Sequence, residues 1–150
     1  MTIANLLLAL HLLCAVIWVG GMAFALLVLR PSLHVLAAQD RLALHVEVFR
    51  RFFKIVWHAM PVLVLSGDAM VFYIFGGFRG VGWPVHAMHP SGAIMAVIFV
   101  YIFFRPWFAM LRAMKARDQA AALLALSQIR QWITINLGLG VLTIVFAALG

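Results

Sequence analysis

From Ile3 to Leu29 no side chain carries a charge, and the run stops at Arg30-Pro31. At about 1.5 Å of rise per residue, a helix of that length crosses the roughly 30 Å apolar core of a bilayer. One imidazole, His11, stands inside the run. Cys14, Trp18, Gly21 and Ala25 follow it at helical spacing, on one face. An ionisable side chain within a membrane segment is costly, so His11 is a functional-site candidate. The question for the remaining sequence is what His11 faces.

Three more apolar runs follow. The second covers about 52–75, is interrupted by Pro61 and carries Asp68. The third needs to begin near Val85 to be long enough, because Ser91 to Phe104 alone falls short of a span. It runs over about 85–104, with His86, His89 and Pro90 in its first turns. The fourth covers about 129–149. Four such runs in a chain of 150 residues, 67% of them hydrophobic, leave room for one domain and no soluble core. The predicted fold class is all-α, a transmembrane four-helix bundle. The first run lacks a basic leading region, is too long for a signal peptide's apolar core and shows no small-residue cleavage site, so it reads as a permanent helix.

The net charge of +7 follows the same pattern. Ten of the eleven Lys and Arg residues lie in two stretches, 30–54 and 105–130; Arg79 stands alone between the second and third runs. That placement is membrane topology and excludes nucleic acid as the partner. The positive-inside rule puts both basic loops in the cytoplasm and both termini outside, as expected of a bacterial inner-membrane protein. Leu33, Leu36, Leu44 and Val48 recur near helical spacing, and Ala120 to Leu126 is strongly helix-forming, so both loops are expected to be partly helical.

Depth then decides which polar groups can meet. His11 lies about 12 Å below the outer end of the first helix, and Asp68 about 10 Å below the outer end of the second. His86, Met88 and His89 open the third helix on the same side, slightly shallower. Three arrangements use these residues. His11 and Asp68 could pair as structural glue between the first two helices. A b-type haem could be ligated by His11 and by His86, Met88 or His89, with Asp68 orienting an imidazole and Trp18 lining the pocket. Copper could be held by the same imidazole and thioether donors.

The other features have plainer readings. Trp57, Trp83, Trp107 and Trp132 fall near the membrane boundaries and are expected in the interfacial belt. Trp18 lies mid-helix and needs a packing or pocket role. Gly20, Gly21, Gly92, Gly138 and Gly140 are expected at close helix contacts. Cys14 is a small packing residue. A lone thiol forms no internal disulfide and no cysteine cluster. His34 and His45 are expected in water, and no long-period repeat is visible. Nothing matches a phosphate loop, a nucleophile elbow or a carboxylate pair, so no catalytic residue is assigned.

The first helix, with His11 followed by Trp18 and Gly21, resembles that of the CopD/HemJ-like superfamily of small bacterial membrane proteins. Phe52-Phe53-Lys54, Ser66-Gly67, Phe75-Gly76-Gly77-Phe78, Val85-His86-Ala87-Met88 and Asn136-Leu137-Gly138 look similar to its four-span CopD-like branch. The resemblance implies haem in the bundle with His11 as a ligand, or copper handling, or a structural subunit without a cofactor. Beyond the lipid bilayer, a redox partner or quinone and a second copy of the chain stay open as partners, and the sequence does not choose among them. HemJ-type protoporphyrinogen oxidases pair the first-helix histidine with a lysine opening the third helix. Here His86-Ala87-Met88 occupies that place, so oxidase chemistry does not carry over with the fold.

Overall fold

The structure, a computed structural model, describes residues 2–149. It consists of four helices: α1 Ile3–Val35, α2 Ala38–Tyr73, α3 Trp83–Lys115 and α4 Gln119–Ala148. No strand occurs among the described residues. Each helix is long and apolar enough to cross a membrane. Leu13, Leu27, Leu65 and Val97 stand exposed on the outside, where lipid tails are the matching solvent.

The helices run further than the apolar stretches. The two basic segments are not loops; they are helix ends. α2 begins at Ala38 and α4 at Gln119, which leaves only turns at 36–37 and 116–118. The expected helical extensions are therefore present and account for nearly all of both segments. A charge does not end a helix that has left the hydrocarbon, because its backbone bonds stay internal.

Local chemistry fixes the ends. Thr2 and Asp118 cap α1 and α4, accepting from the Asn5 and Ala121 amides at 3.3 and 2.9 Å. α3 ends in a Schellman turn, with Asp118 N–H donating to Ala113 and Arg117 N–H to Met114. Arg117 holds the left-handed position of that turn at φ 56°. In the α1–α2 turn, Arg41 Nε and Nη2 donate to the carbonyls of Leu36 and His34 at 2.7 and 3.1 Å. One basic residue thus closes the backbone of its own turn. After α2 the chain reverses through Gly76 and Gly77, both at positive φ, which suits residues without a Cβ.

Arg-Pro occurs in the basic-end portion of both α1 and α3. Each helix widens into a π turn there, over Phe24–Leu29 just before Arg30-Pro31 and over Phe103–Trp107 around Arg105-Pro106. This correspondence between the two halves was not recognised as a repeat in the sequence.

The two ends of the bundle are packed differently. Towards the basic end, Phe53 of α2 lies at 5.9, 6.2 and 5.3 Å from the rings of Phe99, Phe103 and Trp107 of α3. Trp57 meets Phe99 and Phe103 in the same edge-on manner. Val56, Met110, Ala122 and Ile129 are wholly excluded from solvent beside them. Trp107 is buried in this cluster, not in an interfacial belt, because the π turn of α3 directs it inward. His45 is also buried, at 6% exposure, stacked near Phe49 with Nδ1 on the Arg41 carbonyl. Its place in a basic segment suggested water; its place on the inner face of α2 decided otherwise. His34 is exposed as expected.

Only some glycines serve helix contacts. A Cβ on Gly21 would run into the Phe52 ring, and one on Gly140 would sit 2.9 Å from Val19 and 3.1 Å from Met95. Gly20, Gly92 and Gly138 face open space, so the close-contact expectation fails for them. Cys14 is a buried packing residue.

Candidate functional site

Towards the end bearing the termini, α2 and α3 are not zipped by aromatics, and the bundle is hollow. A cavity of about 660 Å³ opens between all four helices. That volume lies within the range of small-molecule and cofactor pockets, about 300–1,000 Å³. Its walls are mostly apolar. His11, Asp68, Met88, His89 and Trp18 all line it, joined by Met70 and Met95. Five of the six residues singled out in the sequence therefore share one cavity. The sixth, His86, does not: it is exposed beside Phe78, with ring centroids 6.2 Å apart. His89, one turn on, is also exposed and lies nearer Phe78, at 4.9 Å, but it and Met88 reach the cavity wall.

Trp18 forms the floor. It is 2% exposed and stands edge-on to Phe99 at 6.1 Å, between the hollow half and the aromatic half. Its mid-helix position, odd for a belt residue, is explained by that contact.

His11 is held from α2. Its Nδ1 lies 2.9 Å from the Leu63 carbonyl and 3.3 Å from Ser66 Oγ. A carbonyl only accepts, so Nδ1 carries the proton and donates. Nε2 is then left with a lone pair and makes no hydrogen bond among the described residues. The His11–Asp68 pair considered from the sequence does not form. Equal depth brings the two to one level, but His11 takes the Leu63 carbonyl instead. Asp68 faces His89 instead, with Oδ1 3.4 Å from Nδ1. That contact joins α2 to α3 where they otherwise diverge.

The two imidazoles are held differently. His11 donates from Nδ1 to the Leu63 carbonyl, whereas His89 only approaches the Asp68 carboxylate, with Nδ1 3.4 Å from Oδ1 and both side chains half-exposed. Metal-ligating histidines are set as His11 is, with the second nitrogen fixed by an outer partner. The described residues hold no group of three His, Cys, Asp or Glu side chains close enough to chelate an ion together. Ser91 and Thr143 satisfy each other across α3 and α4 at 2.7 Å, so the Thr143 hydroxyl in the cavity wall is already partnered.

Gly67 completes the seat of His11. A Cβ there would lie 3.1 Å from His11 Cε1 and 3.4 Å from Nδ1. Gly67→Ala should leave the helices intact and shift the ring a few tenths of an ångström off the Leu63 carbonyl. The expected cost is about tenfold in affinity for whatever His11 ligates, comparable to other outer-partner losses. Titration of wild type and variant side by side reads it. Equal affinities would show that the ring's position is immaterial. Gly67 carries no signal of its own in the sequence, whereas residue counting already puts Met70 in the layer of Met88. The pattern Ser66-Gly67 was noted there only as a likeness, although its spacing from Asp68 already placed it at the depth of His11.

No curated protein and no solved structure matches this chain. The family model for copper resistance protein D matches residues 46–149, which is most of the chain and covers α3, α4 and nearly all of α2. His11 and Trp18 lie before the matched stretch, so their assignment rests on the geometry given above. On the length of that match, the chain belongs to the copper resistance protein D family, CopD.

Proposed function

We propose that this CopD-family membrane protein binds a b-type haem in the four-helix cavity, with His11 and His89 as axial ligands. The observation that carries this reading is a pair of imidazoles, from α1 and α3, that line one mostly apolar cavity. His11 is held at Nδ1 by the Leu63 carbonyl, and His89 lies 3.4 Å from the Asp68 carboxylate. The cavity is far roomier than a single ion needs and suits a large flat apolar group. His11 and His89 would bind the iron, Leu63 and Asp68 would set the two ring orientations, and Trp18 would close the floor. Bound haem supplies reversible one-electron transfer, used here towards a redox partner or a quinone reaching the cavity from the lipid. Absence of a lysine at the start of α3 argues against protoporphyrinogen oxidation. The positive-inside rule supports an orientation in the bacterial inner membrane with the basic end cytoplasmic and the cavity towards the outer side.

A second reading has its own support. The family's name refers to copper, and the cavity carries the thioethers of Met70, Met88 and Met95 beside the two imidazoles. Soft sulfur and imidazole donors suit Cu(I). In this reading copper is cargo, taken in at the cavity and held between α1 and α3.

One purification separates the two. Protein expressed with haem supplied should show a Soret band of six-coordinate bis-imidazole type, retained in Met88→Leu and weakened in Asp68→Asn. Copper bound without a Soret band, and lost in Met88→Leu, would replace haem by copper. Neither haem nor copper retained would leave His11 as a helix–helix contact and overturn both readings.

A further inference from the structure

A second recess lies at the opposite, basic end, between α2 and the π turn of α3. Its volume is about 360 Å³, and it is lined by Arg50, Lys54, Trp57, His58, Phe103, Trp107 and Leu111. Three features set it apart from ordinary packing. Arg50, Lys54 and His58 follow one another at one-turn intervals along α2, so a single helix face carries all three. Neither Arg50 nor Lys54 has a carboxylate partner among the described residues, where the ion pairs are Arg51–Glu47 and His89–Asp68. The Trp57 indole N–H is shut off from solvent and has no acceptor.

The wall opposite these donors is apolar and aromatic. Phe103 and Trp107 belong to the π turn, which widens the helix where it passes α2. Lys54 and Trp57 sit at the start of the apolar run of α2, the level at which headgroups meet acyl chains. Cationic donors beside an apolar wall at that level fit an anion with a hydrocarbon tail. Basic pockets between membrane helices on such a face bind acidic lipid headgroups.

We propose that this recess is a binding site for an anionic phospholipid, its phosphate held by Arg50 and Lys54 and its first acyl carbons against Phe103, Trp107 and Leu111. His58 contributes less, because its Nδ1 is committed to the Lys54 carbonyl at 2.7 Å and only Nε2 can turn to a ligand. The site is separate from the cavity at the other end and does not depend on what that cavity holds.

Native mass spectrometry of the full chain in a neutral detergent tests this, with phosphatidylglycerol, phosphatidylcholine and inorganic phosphate as probes. Wild type should retain phosphatidylglycerol over phosphatidylcholine. The double change Arg50→Gln with Lys54→Gln should reduce that preference on the order of tenfold, given the usual contribution of each basic residue. A matched loss of charge at the same end but outside the recess, Arg112→Gln with Lys115→Gln, should leave the preference within about a factor of two of wild type, as the effect of remote charges decays over a Debye length. All substituted residues are exposed, so folding is checked by melting each variant and is expected to be unchanged. Equal retention of the two lipids overturns the proposal. So does equal loss in the control pair, which would make the effect general surface charge. Displacement of the lipid by inorganic phosphate would mark a site for a free anion and overturn it as well.

Discussion

His11→Ala is expected to abolish the Soret band of haem-supplied protein while leaving helix content and expression unchanged. The variant removes one of the two proposed iron ligands and the one hydrogen bond that ties α1 to the Leu63 carbonyl. The structural part of that loss is small. Polar contacts between membrane helices contribute about 0.6 kcal/mol on average, because the separated helices also find partners. The Leu63 carbonyl keeps the Ser66 hydroxyl at 3.0 Å, so it is not stranded. A variant that folds but stays colourless therefore reports on ligation and not on collapse. Added imidazole should restore part of the band, since truncation leaves a ring-sized space beside an intact cavity. A Soret band that survives His11→Ala unchanged would rule out His11 as a ligand. His89→Ala should behave in the same way, whereas His86→Ala should have no effect, because His86 lies outside the cavity.

The largest effect on stability is expected at Phe53→Ala. Phe53 is 1% exposed and touches rings on three sides of the aromatic half of the bundle, including Phe49 stacked at 5.6 Å. In a bilayer, burial alone contributes little, since lipid tails are as apolar as a protein core. What is lost is dispersion, together with the void left between α2 and α3. The expected destabilisation is about 3 kcal/mol, measured by unfolding purified protein with a denaturing detergent and following helicity. Phe104→Ala provides the comparison. Phe104 is 56% exposed to the lipid side, and its loss should cost less than about 1 kcal/mol. Equal costs would mean that the aromatic cluster is not what joins the two hairpins.

The fold was largely legible because a bilayer simplifies the problem. Length, lack of charge and the position of Lys and Arg sufficed for four spans, and residue counting brought His11, Asp68, Met88 and His89 to one layer. What counting does not provide is azimuth. His86 and His89 lie three residues apart, within about 60° on a helical wheel, and both meet Phe78, yet only His89 lines the cavity. The same gap explains His45 and Trp107. Both were placed by the character of their neighbours in sequence, and both are decided by which side of the helix faces the bundle. The His11–Asp68 pair, one of the three arrangements considered, does not form for a related reason. His11 had a nearer acceptor, a main-chain carbonyl, and no side-chain pattern announces one.

The π turns bear on that azimuth. Each π turn accommodates about one residue more than the α-helix and so resets the angular phase by about 100°. Along α1 the buried residues Cys14, Trp18, Met22 and Ala25 keep one stripe about 80° wide, and a regular helix would carry Leu33 to its edge, beside Met22. With the extra residue Leu33 returns to the line of Cys14 within that stripe, at 5% exposure. The two ends of α1 are thereby set independently, one facing the cavity and one the closed half. Removing a single residue from Phe24–Leu29 would leave the composition, hydropathy and length of the span almost untouched. It would also rotate one of those ends out of alignment with its partners, a frameshift in geometry that no hydropathy profile would register.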